Sequence, residues 1–263
     1  MEGPAVSPAV FETPDEFSQS LYFCGSVRTR RRRTAGLRSD GAKPIKGFDA
    51  YPVSVDHAEG FVLAGGRSSR MGRDKRSLRV AGRSLLEIAL DKLRALPLAA
   101  APRMVGGDPR GAVADLHPGC GPLSGIEAAL AASAEPLNVF LPVDMPLLPA
   151  NFLLWMLHRA QITGAPITLP KIGGDPQPLC AVYQKSILPA ITASLLAGNY
   201  KVMPGVCSAV LQPQDLDVFD IESVAAADPD ILSYSFLPVY RWFHNCNRPE
   251  DMEGVENALV FSQ

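Results

Sequence analysis

From about residue 60 onward, short runs of consecutive apolar residues alternate with segments in which apolar residues recur every three or four positions. Phe61–Ala64 is a run of the first kind and reads as a buried strand. Leu137–Val143 is a second, apolar on both faces as a central parallel strand requires. Arg103–Gly106 is a weaker strand, and Pro166–Leu169 and Pro178–Tyr183 give two more. Between them lie helical patterns. Ser84 is a candidate N-cap for a helix whose apolar positions Leu85, Ile88, Ala89 and Leu93 fall on one face. Gly125–Ala132 is alanine-rich helix, Phe152–Ile162 another, Ile187–Leu196 a third that stops at Gly198, and Pro249–Ala258 the last. Strand and helix in alternation predict an α/β fold with a doubly wound, mostly parallel sheet. Ligands of such sheets sit beyond the carboxyl ends of the strands.

Residues 1–57 show neither period. They mix Pro, Ser and Glu with an arginine cluster (Arg28, Arg30, Arg31, Arg32, Arg33, Arg38) and read as a disordered N-terminal extension, a solvated tail ahead of one folded domain at 58–263. A start codon chosen too far upstream would account for the same facts. The chain of 263 residues carries a net charge of −2 with 47% hydrophobic and 20% charged residues, so no overall basic excess recruits nucleic acid or an anionic membrane. The five cysteines form no C-x-x-C pair and their odd number suggests no disulfide framework, which fits reduced thiols and a cytoplasmic location. No apolar run approaches the roughly 18 residues of a membrane span. Small molecules or proteins are the expected partners.

The chemistry concentrates after the first strand, in Phe61–Lys75, F-V-L-A-G-G-R-S-S-R-M-G-R-D-K. Gly65 and Gly66 lack a Cβ, so their N–H groups can approach an anion closely. Arg70 and Lys75 add cations, and Ser68 and Ser69 add hydroxyl donors. Neither the Walker A spacing nor G-x-G-x-x-G is present. Such a loop suits a triphosphate. A second strand end carries Asp144, and the predicted topology brings it to the same edge. A lone carboxylate at the mouth of a nucleotide site is enough for magnesium, which takes one or two carboxylates beside phosphate oxygens and water. An Asx-type turn before Pro146 is the plainer alternative for that aspartate.

The segment Leu63–Lys75 resembles the L-A-G-G-x-S-x-R-M-G-x-D-K signature of the molybdenum cofactor guanylyltransferases, the MobA-like nucleotidyltransferase family. Three later segments are similar to family motifs in the same order: Gly121–Ile126 (G-P-L-S-G-I), Leu141–Leu148 around Asp144-Met145-Pro146, and Asn245–Asp251 (N-C-N-R-P-E-D). The likeness spans roughly residues 58–260. It implies a Rossmann-like nucleotidyltransferase fold and Mg²⁺-dependent transfer of GMP from GTP to the terminal phosphate of molybdopterin or Mo-molybdopterin. It also implies molybdenum-insertion proteins and acceptor molybdoenzymes or their chaperones as partners.

Carried over residue by residue, the resemblance implies nucleotide contacts from Leu63, Ala64, Gly65, Gly66, Lys75, Asp115 and Asp144, with Asp144 also the metal ligand. Arg70 and Lys75 take the catalytic roles, and Asn245 and Asn247 the pterin side. Lys75 would neutralise charge on the α-phosphate and leaving pyrophosphate, and its removal should cost on the order of a hundredfold in turnover. Asp115 can accept from guanine N–H groups or from ribose hydroxyls. Two departures stand out: Met104-Val105-Gly106-Gly107 lacks an asparagine common in the family, and Arg248 replaces a threonine. Gln177-Pro178-Leu179-Cys180 is similar to a substrate-side segment, followed further on by Lys201. His57, His117, His158 and His244 lack metal spacing and read as surface or capping residues. Two rival functions share these features: a cytidylyltransferase, whose loop usually begins L-A-A-G, and a non-catalytic nucleotide-binding regulator or delivery protein.

Overall fold

The computed structural model describes residues 55, 57–64, 78–106, 112–246 and 249–260. Gly65, Gly66, Arg70, Lys75, Asn247 and nearly all of the expected N-terminal extension lie outside the described residues. In chain order the strands are β1 (Ala58–Leu63), β2 (Arg79–Val80), β3 (Arg83–Ser84), β4 (Arg103–Val105), β5 (Ala112–Val113), β6 (Leu137–Pro142), β7 (Ile167–Ile172), β8 (Asp175–Pro176), β9 (Ala181–Gln184) and β10 (Leu216–Asp220). The helices are α1 (Leu85–Arg94), α2 (Pro122–Ala132), α3 (Ala150–Thr163), α4 (Leu188–Leu196), α5 (Val202–Cys207), α6 (Ile221–Ala227), α7 (Val239–Trp242) and α8 (Pro249–Val260).

The central sheet runs β10-β7-β9-β6-β1-β4-β5, with β8 attached to β7 and a separate β2–β3 hairpin. Pairings β5–β4, β4–β1, β1–β6 and β7–β10 are parallel, and β9 runs antiparallel to both β6 and β7. The sheet is therefore mostly parallel, as expected, with one reversed strand near its middle. Reversal has a positional consequence. The amino end of β9, reached through Gln177–Cys180, lies at the same edge as the carboxyl ends of its neighbours.

Strand periodicity sorts the core into two layers. Val62, Val139, Leu141 and Val182 face α1, α3, α6, α7 and α8; Phe61, Leu63, Phe140, Ala181 and Tyr183 face α2, α4 and α5. Both faces are covered, so β1 and β6 are buried along their whole length, which is why they read as unbroken apolar runs. Phe61 and Phe140 stack with ring centroids 5.6 Å apart across the β1–β6 pair. Local signals match the expected elements. Ser84 caps α1 in a reciprocal box, accepting from the Glu87 N–H (3.2 Å) and donating its own backbone N–H to the Glu87 carboxylate (2.7 Å). Gly198, just past α4, takes a left-handed φ of +80°, which ends the helix without the strain a Cβ would bring. The strand expected over Pro178–Tyr183 begins only at Ala181, because Gln177–Cys180 closes a turn with the Cys180 N–H donating to the Gln177 carbonyl (3.0 Å). Val55 is buried in the core as well.

Candidate functional site

The carboxyl edge of the parallel strands gathers the described site residues. At the end of β1 the Leu63 carbonyl accepts from the Val143 N–H (3.1 Å), and the Ala64 N–H donates to the Val105 carbonyl (3.1 Å). These bonds hold the chain between β6 and β4 up to the point where Gly65 follows. Leu63 is buried and Ala64 half-buried.

Asp144 occupies the turn directly after β6, within a few residues of that exit. Its backbone carbonyl accepts from the Cys246 N–H (2.8 Å), so the segment before α8 is tied to the turn. The exposed Asn245 thereby precedes a residue bonded to the Asp144 turn. Met145, Leu147 and Leu148 anchor the turn in the core. From below, the Lys92 ammonium donates to the carbonyls of Met145 (3.2 Å) and Pro146. Burial drives the Lys92 pKa down to about 7, against the opposing influence of the Cys180 and Cys246 thiols nearby. The Cys180 thiol is itself pushed up to about 12 by burial and stays protonated. It is a packing residue.

Asp115 follows β5 and lies against α2. A Cβ built on Gly125 would stand in ordinary van der Waals contact, 3.7 Å from its Oδ1 and 3.5 Å from both Leu63 and Val105, so the carboxylate packs directly against α2. That Oδ1 is buried with no hydrogen-bond donor, and desolvation raises the Asp115 pKa. The loop is tied to α2 through His117, whose N–H donates to Ser124 Oγ (3.3 Å) and whose Nε2 lies 3.4 Å from the buried Glu127. Thr192 of α4 donates to the other Glu127 oxygen (2.7 Å). His117 thus anchors the loop bearing Asp115.

Two contributors are missing from the sequence-based set. Lys92 lies four residues after Ile88, on the apolar stripe of α1; the sequence shows a charge on that stripe but not which way it turns. The Glu127–His117 tie had a fainter signal, a carboxylate in the middle of a mostly apolar helix. Lys201, by contrast, is exposed as the residue before α5. Among the described residues no group of three or more His, Cys, Asp or Glu could hold a metal unaided, and no helix is long and apolar enough to cross a membrane.

A sequence profile of the MobA-like NTP transferase domain matches residues 60–209. A probable molybdenum cofactor guanylyltransferase of Chloroflexus aggregans is 34% identical over 212 residues, 76% of this chain and 94% of the relative. Another, from Pelotomaculum thermopropionicum, is 35% identical over 152 residues, 56% of this chain and 73% of the relative. In fold, the crystal structure of molybdopterin-guanine dinucleotide biosynthesis protein A from Archaeoglobus fulgidus is similar with a TM-score of 0.62 and 23% identity, covering 77% of this chain and 99% of that one. With a nucleotide-loop signature ahead of Asp115 and Asp144 on one edge of an α/β sheet, this chain belongs to the MobA-like NTP transferase family.

Proposed function

We propose that this protein transfers GMP from GTP to molybdopterin, in its molybdenum-free or molybdenum-loaded form, in the cytoplasm. A terminal phosphate oxygen of the pterin attacks the α-phosphorus of GTP. The bond from that phosphorus to the bridging oxygen breaks, and pyrophosphate leaves with the electron pair. An anionic phosphate needs no strong base to attack, so the protein's work is positioning and charge stabilisation. The observation that carries this reading is the Asp144 turn, held rigidly at the end of β6 beside the point where β1 delivers its glycine loop.

Gly65, Gly66 and Arg70 would cradle the triphosphate, and Lys75 would stabilise charge as pyrophosphate departs. Asp115 would accept from the nucleoside, whose N–H or O–H groups would satisfy its orphaned oxygen. Asn245 and Asn247 would face the pterin. The oxygen donor of Asp144 suits a hard cation, and a single protein carboxylate leaves the remaining positions to phosphate oxygens and water. Magnesium bound there supplies neutralisation of phosphate charge.

Pyrophosphate release by the purified full chain with Mg²⁺ and molybdopterin tests the reading, comparing GTP with CTP, ATP and UTP and using Asp144→Ala as control. Turnover with GTP alone, lost in the variant, is the expected result. A preference for CTP would instead make the protein a cytidylyltransferase, and tight GTP binding without turnover would make it a nucleotide-binding regulator.

A further inference from the structure

We infer that Lys92 is a positioning residue for the transferase site: from inside the fold it clamps the turn that presents Asp144, fixing the direction of that carboxylate. This rests on the reading of Asp144 as the cation-holding residue. Three consecutive carbonyls of the turn are each taken by a donor from elsewhere. Asp144 O accepts from the Cys246 N–H, and Met145 O and Pro146 O accept from the Lys92 ammonium. With these carbonyls held on the core side, the peptide planes of the turn cannot rotate independently. The Cα–Cβ bond of Asp144 is therefore fixed relative to the ends of β1 and β6.

The alternative is a lysine that merely fills space. A lysine near a surface ordinarily lays its stem on apolar residues and extends its ammonium to water. Lys92 does the opposite, directing the charge inward beneath the turn, where burial lowers its pKa to about 7. An unbranched apolar residue would fill the stripe of α1 without that desolvation penalty. A charge kept there at a cost in stability is what a geometric role predicts.

The test uses the full chain and Mn²⁺ as the probe, its affinity for the protein–GTP complex followed through water-proton relaxation, with thermal midpoints measured alongside. Wild type, Lys92→Met, Asp144→Ala and the double variant are compared. Lys92→Met is expected to melt at or above the wild-type temperature yet to bind Mn²⁺ about tenfold or more weakly, the scale seen when a group supporting a metal ligand is removed. The double variant should bind no more weakly than Asp144→Ala, because Lys92 acts through that carboxylate. Wild-type affinity in Lys92→Met while Asp144→Ala loses binding would overturn the Lys92 role and leave the site reading standing. Multiplied losses in the double variant would overturn it too. Undiminished binding in Asp144→Ala would remove the metal role of Asp144 and, with it, the inference. Should Lys92→Met fail to fold, Lys92→Leu removes the donor while keeping an apolar side chain on the stripe of α1. Weakened binding there supports the clamp, and wild-type affinity refutes it.

Discussion

Asp144 and Asp115 stand at the same edge of one sheet and are held in opposite ways. The turn bearing Asp144 has its backbone carbonyls engaged by Cys246 and Lys92, and its following residues sink into the core. Asp115 arrives on a strand of only two residues, and its own carboxylate is short of donors, with a buried Oδ1 that nothing satisfies. One carboxylate has a finished scaffold; the other keeps a buried oxygen without a donor among the described residues. A cation demands fixed geometry and supplies its own attraction, so its ligand needs a rigid seat. A nucleoside brings N–H and O–H groups, and a carboxylate left wanting them favours the ligand that provides them. On the proposed function, the contrast separates holding a cation from reading a nucleoside.

The largest effect expected from this contrast is in turnover. Asp144→Asn should lower kcat by about a hundredfold or more, on the scale of a lost transition-state electrostatic contact, while the melting temperature stays near that of wild type. A comparable loss from Asp115→Asn would erase the distinction. Asp115→Asn should instead raise the Kd for GTP by about tenfold, the loss of one charge-assisted hydrogen bond, as read by calorimetry with kcat little changed. The same variant should melt higher than wild type at neutral pH. The folded-state pKa of Asp115 is raised, so its contribution to stability falls as pH rises from the unfolded value of 3.8 through the raised one, and Asn does not titrate. The gap between variant and wild type should close on acidification.

The smallest effect concerns Lys92. Its folded pKa of about 7 lies below the unfolded 10.5, so between those values the unfolded chain binds the extra proton and stability rises with pH. Thermal midpoints collected from pH 7 to 9 should show that rise in wild type and a flatter profile in Lys92→Met. Equal slopes would mean that the ammonium is not desolvated beneath the turn.

The elements that carry the site were legible where burial imposed a pattern. β1 and β6 are covered on both faces and leave continuous apolar runs; α1 has a capping box and a clean stripe. Asp144 could be picked out because a predicted strand end and a family motif agree on it, whereas Asp115 was reached through the resemblance alone. β10, Leu-Asp-Val-Phe-Asp, escaped notice: only Phe219 is fully buried there, so no apolar run marks it. The direction of β9 was also invisible, since an apolar strand reads the same whichever way it pairs. Lys92 was hidden for a related reason. Periodicity finds the stripe, and only coordinates reveal that a charge within it turns inward to a carbonyl.

The bond from Cys246 to Asp144 joins residues about a hundred positions apart. During synthesis the β1–β6 pair can form long before residue 246 leaves the ribosome, since chains fold from the amino end as they emerge. The Asp144 turn then waits, half tethered, for the last part of the domain. On the proposed function, a nascent or prematurely terminated chain would carry the glycine-rich segment without a finished Asp144 turn, and would not yet turn over GTP.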